Sequence, residues 1–453
     1  MHPTSRVVAA FRCPQVADGN VKSASSRESL LAPETRTTAS REHRLASRLL
    51  IGLLALCGPG IVVMLADSDA GSLITAAQSG AKWGYEMVLP QLVLIPVLYI
   101  VQEMTIRLGI GTGKGLVALL REHFGKGWAL LSAAMLLATG IGALLTEFVG
   151  VAGVGELFGV SRFVTVPVAA TFLIGIAMTG SYRRVERIGI ALGLAELVFI
   201  PAMVMAHPSL HAIGHGLEQV PLRNGSFIFL LAANVGAVIM PWMIFYQQGA
   251  VLDRGLEARD IPSERRRTAL GAVLTQLIMI AVVLAFAATV GRVHPGAALT
   301  SVGEMSSALR PFIGGIGAKV FLGAAVLGAA LVAGLVASLA GAWGISEVFG
   351  WAHTLNERPS RKEAKFYVAY CLAYALAAVA VLFSLHLVKL VIDVEVMNAL
   401  FLPIVLGLLL ALEARALPIA YRMRSLRRIV ATGICAVVIA FGLYALAVVL
   451  HLT

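Results

Sequence analysis

The sequence predicts an all-α polytopic membrane protein, and three observations carry that prediction. Of its 453 residues, 58% are hydrophobic and 13% charged, with a mean hydropathy of +0.85. A soluble domain of this length does not need so much apolar residue. From residue 49 onward, apolar runs long enough to cross a hydrocarbon layer of roughly 30 Å follow one another. The Arg and Lys residues fall between those runs. The net charge of +11 therefore marks loops at a membrane surface, not a nucleic-acid face.

Taken in order, residues 1–47 are polar and rich in Arg, Ser and Thr. They lack the apolar stretch of a secretory signal and read as a disordered cytoplasmic tail. The transmembrane domain is expected over 48–453. Its spans fall near 49–80, 85–108, 127–157, 163–180, 187–206, 226–250, 268–291, 317–345, 365–384, 387–412 and 429–451. That gives about eleven spans of roughly 20 residues each. The first is interrupted and the fourth is short.

Loop charge sets the orientation. With the N-terminus cytoplasmic, the inside loops hold Arg107, Lys114, Arg121 and Lys126, then Arg183, Arg184 and Arg187, then Arg254, Arg259 and Arg265 to Arg267. The last two hold Arg358, Arg361, Lys362 and Lys365, then Arg415, Arg422, Arg424, Arg427 and Arg428. Outside loops hold few, so the C-terminus is expected outside, in a plasma or inner membrane. Cys13, Cys57, Cys371 and Cys435 are scattered, without metal or redox spacing, and read as packing residues.

The stretch Leu65-Ala66-Asp67-Ser68-Asp69-Ala70-Gly71-Ser72 interrupts the first span. A carboxylate at that depth costs about 2.5–3.5 kcal/mol on insertion scales, so Asp67 and Asp69 need a function or a partner. Asp, Ser and Gly also compete with helix continuation. A helix that stops, opens and restarts would leave free carbonyls beside Asp69, and that is a cation site. Asp69 as a cap of the restarted helix is the plainer alternative. Asp67 reads as a cap, a vestibule charge or an additional ligand.

A matching interruption lies in span six. There Asn234-Val-Gly-Ala-Val-Ile-Met240-Pro241-Trp242 places a proline inside an apolar run, so the helix must open near 236–240. Paired interruptions at corresponding places are the signature of two inverted five-span repeats with a binding site at mid-membrane. The repeats are expected over about 48–210 and 224–412, with an additional helix over 429–451.

Several of these stretches resemble one family. Asp69-Ala-Gly-Ser72, followed by Gln78-Ser-Gly-Ala-Lys-Trp-Gly-Tyr85, is similar to the Asp-Pro-Gly-Asn signature and following segment of the natural resistance-associated macrophage protein (NRAMP) metal transporters. Arg107-Leu-Gly-Ile-Gly-Thr-Gly-Lys114 and Gly236-Ala-Val-Ile-Met240-Pro241 resemble its segments after span two and in span six. The resemblance implies a LeuT-type 5+5 inverted repeat with helices one and six broken. It implies import of a divalent metal cation, Mn2+ or Mg2+ with Fe2+ in the same class, by alternating access. The metal ligands implied are Asp69, Ser72 in place of Asn, the Met240 thioether, and the carbonyls of Ala66 and Ala237.

This sequence departs from the family pattern. Trp242 and Gln247 stand where the family has histidines, and Thr146-Glu147 is followed by Gly150 where the family has a second acid. Histidine suits a proton relay, so proton coupling does not carry over. Trp242, Gln247, Glu147 and Asn398 are candidate gating or vestibule residues. The departures are similar to those of the NRAMP-related magnesium transporters. Oxygen donors suit Mg2+ or Mn2+, whereas the Met240 thioether favours a softer ion.

Other buried polar residues are weaker candidates. Glu196 in span five and Asp393 and Glu395 in span ten must face protein or water. Glu103 reads as an interfacial charge. His207, His211 and His215 read as a solvated loop, because Pro208 and Gly214 interrupt their spacing. No cofactor is expected, and no nucleotide loop or catalytic triad supports an enzyme. Partners reduce to the transported cation and the bilayer, with a monomer plausible. The alternative is a Na+-coupled amino-acid carrier of the same architecture. Asp69 would repel the carboxylate of that substrate.

Overall fold

The computed structural model describes residues 68–179, 194–349 and 364–450. The expected tail over 1–47, Ala66, Asp67, the first half of span one and the inside-loop residues Arg183, Arg184, Arg187, Arg358, Arg361 and Lys362 lie outside them.

The restarted part of span one is α1 (Ala70–Trp83), followed after one 3-10 turn by α2 (Val88–Thr112). Then come a short α3 (Leu116–Phe124), the long α4 (Lys126–Leu157) and α5 (Arg162–Thr179). Span five is a 3-10 turn over Leu194–Val198 running into α6 (Phe199–Met205), and α7 (Leu210–Glu218) bends away from it by 105°. Span six is two helices, α8 (Gly225–Val238) and α9 (Pro241–Asp253). Beyond it lie α10 (Ile261–Phe286), a short α11 (Val302–Ile313) and α12 (Gly315–Phe349). The last three are α13 (Ala364–Phe383), α14 (Leu387–Arg415) and α15 (Ser425–Val449).

Every expected span from the second to the eleventh meets a helix. Seven helical stretches among the described residues are long and apolar enough to cross a membrane, and the bent pair around 195–218 makes an eighth. Arg162–Ile176 and Tyr367–Phe383 are apolar but shorter.

Three helices were not expected. Each is short, and α3 buries one face through Leu116, Val117, Leu119 and Leu120. The histidine segment is corrected by α7. Ser209 caps that helix by accepting from the Ala212 N–H, and Pro208 precedes the cap and interrupts nothing. His211 and His215 therefore stand one turn apart and exposed on a helix, not in a loop. Span seven begins seven residues earlier than expected. Pro262 in its first turn fits a helix start, so Arg265, Arg266 and Arg267 ride on α10 instead of preceding it.

Two half-helices, α1 and α8, pack antiparallel along their whole length. Ser72 Oγ donates to the Ala237 carbonyl (3.0 Å), Asn234 Nδ2 to Ser79 Oγ (2.6 Å) and Lys82 Nζ to Ser226 Oγ (2.8 Å). Trp83 meets Phe227 edge-on at 5.2 Å. Gln91 of α2 joins by donating to Asn234 Oδ1 at 2.6 Å. The buried members, Ser72, Ser79, Gln91 and Asn234, hold position only when partnered, and here the partners tie three helices together.

A second network closes the opposite end of α2. Buried Arg107 donates through Nε to both Glu103 oxygens (2.9 Å each), through Nη1 to the Tyr421 carbonyl (2.8 Å) and through Nη2 to Glu413 (3.1 Å). Arg265 adds a second donor to Glu103 at 2.6 Å. Glu103 is thus an inter-helix pairing charge, held between two arginines.

Helix α14 crosses α8 at Gly236. A Cβ there would overlap the Glu395 carbonyl and lie 2.8 Å from the Ala399 nitrogen. Both are backbone atoms and cannot turn aside. Gly236→Ala should therefore destabilise the protein by about 1–3 kcal/mol, the usual cost of overpacking. Thermal unfolding of the purified protein in detergent checks this. Gly407→Ala, on the same α14 but with open space at its Cβ, should leave the melting temperature unchanged or slightly raised.

Candidate cation site

The start of α1 meets the break in span six. Helix α8 ends at Val238 with the Ile239 N–H bonded back to the Val235 carbonyl, and the chain runs extended through Met240. Pro241 then opens α9, where its missing N–H is no loss. The Ala237 carbonyl is left facing the start of α1. Asp69 is the N-cap of α1, with extended backbone, and its Oδ1 accepts from the Ser72 N–H at 2.6 Å. Capping is therefore one of its roles, as expected for Asp at a helix N-terminus. Its other oxygen, Oδ2, is buried and has no hydrogen-bond partner.

Three further carboxylates surround Asp69. Glu147 of α4 touches the Asp69 side chain and accepts from the Ala70 N–H at 3.3 Å. Glu395 of α14 lies within electrostatic range of Asp69. Its Oε2 accepts from Asn398 at 2.9 Å, while its Oε1 is buried and unpartnered. That oxygen comes within 2.5 Å of where a Cβ on Gly71 would stand, so a side chain there would push the Glu395 carboxylate aside. Glu196 of span five adjoins Ser68, and both of its oxygens are unpartnered. All four acids are fully buried. None forms an ion pair among the described residues.

Of the expected ligands, the fold brings Asp69, Ser72 and Ala237 into direct contact. The Ser72 hydroxyl bonds the Ala237 carbonyl, so the two oxygens form one edge of the site. Met240 follows three residues after Ala237 and is completely buried. Its sulfur accepts from the Trp242 indole N–H at 3.2 Å. Trp242 is also fully buried, so it fills space and engages the thioether instead of lining an open entrance. Gln247 lies farther along α9, buried with both amide atoms unpartnered. Asn398 acts through Glu395, and its own Oδ1 remains unpartnered. Ala66 and Asp67 lie outside the described residues.

Two acids have more weight than sequence reasoning gave them. Glu395 and Glu196 each stand in an apolar helix without a basic neighbour. That isolation was the signal that marked them. Asp393, two positions from Glu395, points elsewhere and pairs with Lys389 at 2.6 Å. Among the described residues, no three of His, Cys, Asp and Glu converge as a ready-made metal cage. The acids lie on different elements, and the Ser72 hydroxyl and Ala237 carbonyl adjoin Asp69.

The family model described as natural resistance-associated macrophage protein-like matches residues 60–448. The chain belongs to the NRAMP family. The divalent metal cation transporter MntH of Yersinia pestis (strain Pestoides F) is 30% identical over 296 residues, 64% of this chain and 71% of that one. MntH of Klebsiella pneumoniae subsp. pneumoniae is 27% identical over 313 residues, covering 67% and 75%. Among solved structures, the Eremococcus coleocola manganese transporter bound to an aromatic bis-isothiourea compound superposes with a TM-score of 0.67. It shares 18% identity and covers 92% of this chain and 88% of its own. Mhp1, a nucleobase-cation-symport-1 family transporter, superposes at 0.52 with 14% identity over 87% and 91%. The fold of this NRAMP protein is accordingly the LeuT-type arrangement, and the chain is a multi-pass membrane protein.

If Met240 ligates an ion, as the family resemblance implies, its contact with Trp242 bears on ion choice. A thioether that accepts a hydrogen bond is a poorer metal donor. Trp242→Phe keeps most of the bulk and removes the donor. It should tighten Cd2+ binding by roughly fivefold, equivalent to the ~1 kcal/mol net value of a hydrogen bond. Calorimetric titration of the purified protein with Cd2+ measures it, with Mg2+ as the ion whose binding should not gain.

Proposed function

We propose that this protein carries divalent metal cations, Mn2+ and Mg2+, inward across the membrane by alternating access, with Asp69 as the anionic ligand. The observation that carries the reading is the unpartnered Oδ2 of fully buried Asp69, beside the Ser72–Ala237 edge. A buried charge without a partner costs several kcal/mol, and a divalent ion is the partner these donors suit. The curated relatives named above, described as divalent metal cation transporters, support the same reading.

Asp69, Ser72, the Ala237 carbonyl and Met240 hold the ion, with waters completing its shell. Mg2+ and Mn2+ both accept such oxygen sets, and Mg2+ keeps part of its water. The hydrogen-bonded thioether and the nearby Glu395 carboxylate shift preference toward the harder ions. Glu147, Gln247 and Asn398 shape the approach to the site. Tryptophan and glutamine replace histidines at 242 and 247, so no histidine relay accompanies the ion at those places. The N-terminus lies in the cytoplasm and the C-terminus outside, following loop charge, and an inside-negative potential drives the cation inward.

A carrier of amino acids is not favoured. Its substrate carboxylate would have to sit at the N-terminus of α1, where the acids Asp69, Glu147 and Glu395 already take the space and the Ser72 and Ala70 N–H groups.

Uptake into proteoliposomes tests the reading. Wild-type protein should admit Mn2+ and Mg2+, and a pH dye inside the vesicles should record no obligatory proton entry. Asp69→Asn keeps the shape and the cap but loses the charge, and should reduce uptake to that of empty vesicles. Undiminished uptake by that variant would refute the assignment.

A further inference from the structure

A cavity lies at the junction of α14 and α15, apart from the cation site. Its volume is about 330 Å3, room for roughly ten waters at ~30 Å3 each. The end of α14 supplies Glu413 and Ala414, and the connecting loop supplies Arg422 and Met423. The first turns of α15 supply Arg428, Ala431 and Thr432. Two guanidiniums, a hydroxyl and apolar side chains thus share one recess.

The charges in and around that recess do not cancel. Glu413 is the one acid of its lining, and Arg107 donates to it at 3.1 Å. Arg107 and Arg265 together face Glu103 and Glu413, two guanidiniums to two carboxylates. Arg422 and Arg428 are left over. Neither pairs with a carboxylate among the described residues, and nor do Arg424 and Arg427 beside them. Arg422 is nonetheless held in place. Its Nε donates to the Leu417 carbonyl at 2.8 Å, which leaves its two amino groups for another acceptor. No acidic residue stands in the first turn of α15, so its positive dipole end adds to the field.

The surroundings point to what fills the recess. Leu426, Ile429 and Val430 are interleaved with these arginines on the first turns of α15, and all three are exposed. Helix α15 is also the least buried of the seven long spans. Uncovered apolar side chains beside basic ones place this turn at the boundary between hydrocarbon and headgroups. Loop charge makes it the cytoplasmic boundary, where anionic lipids concentrate.

We propose that the cavity binds the phosphate of an anionic phospholipid. Arg422 and Arg428 grip its oxygens through paired N–H donors, and the Thr432 hydroxyl adds a third donor group. The acyl chains lie along the exposed face of α15. This assignment is independent of which ion the protein carries.

Native mass spectrometry of the full-length protein in detergent, titrated with phosphatidylglycerol, tests the proposal. Wild type should retain one phosphatidylglycerol per chain, at least tenfold more tightly than phosphatidylcholine. Arg422→Gln and Arg428→Gln should each weaken retention by about tenfold. Ala414→Leu keeps every charge but fills the recess from its exposed rim, and should weaken retention by a similar factor. Arg259→Gln, at an exposed arginine of another inside loop, should change nothing. Melting temperatures should match wild type; where Arg422→Gln melts early, the other two variants still decide. Equal retention of both lipids would overturn the proposal. So would undiminished retention by Ala414→Leu, because a diffuse basic surface would then hold the lipid without the cavity. Inorganic phosphate or glycerol 3-phosphate competing at the lipid's own concentration would overturn the lipid in favour of a soluble phosphate.

Discussion

Uncompensated negative charge at a depth where water is excluded is the constraint that the rest of this structure answers. Transferring a carboxylate from water into such a region is among the most expensive placements a chain can make. Here four acids, Asp69, Glu147, Glu196 and Glu395, are fully buried on different elements, with no cationic side chain paired to any of them among the described residues. The apolar mass of the protein, its capped half-helices and its inter-helix hydrogen bonds can hold those groups in place. They cannot neutralise them. A bound proton or a cation must do so, and a cation that comes and goes would distinguish a transport site from a structural ion pair. The contrast lies within the same molecule. Glu103 is also buried, and it is met by Arg107 and Arg265 at hydrogen-bond distance. That cluster is a permanent fastening.

The broken helices follow from the same constraint. A continuous helix through Asp69 would spend every backbone carbonyl on its own ladder and offer an ion only a side chain. By stopping α8 at Val238 and starting α1 after Asp69, the fold exposes the Ala237 carbonyl and frees the capping residue to face it. Asp69 divides its work between its two oxygens, one fixing α1 through the Ser72 N–H and the other left without a partner. Its position is therefore set before any ion arrives, which lowers the ordering cost of binding.

Much of this was legible in the sequence, and the reasons differ from element to element. Spans two to eleven were legible because a bilayer imposes a length and a composition that few other environments demand. The break at Pro241 was legible because proline cannot donate, and the break at Asp69 because an acid in an apolar run needs an explanation. The roles of Glu395 and Glu196 were not, since the facing of a single residue on a helix apolar all round has no periodic signal to reveal it. Gly71 and Gly236 shared that fate. Their value lies in the approach of Glu395 and the α14 backbone, and no local pattern announces a crossing helix. The histidine segment misled for a local reason: Pro208 stands outside the cap at Ser209, and a shift of one residue separates a broken pattern from an intact helix.

The antiparallel pairing of α1 with α8 bears on how an ion could leave so sealed a site. Ser72, Ser79, Lys82 and Trp83 are each tied to α8, and Gln91 fastens the pair to α2. Separating α1 from α8 would break all of these contacts at once and strand polar groups in an apolar surround. Moving them together breaks none. The pair also meets α4 and α14, where Glu147 and Glu395 lie at the start of α1. Those contacts are made by charges whose attraction or repulsion depends on whether a cation is present. On the proposed function, the ion does more than occupy the site: its arrival draws the carboxylates of α4 and α14 onto the α1–α8 pair, and its departure lets them part. The same excess charge that makes the empty site costly is then what couples occupancy to motion.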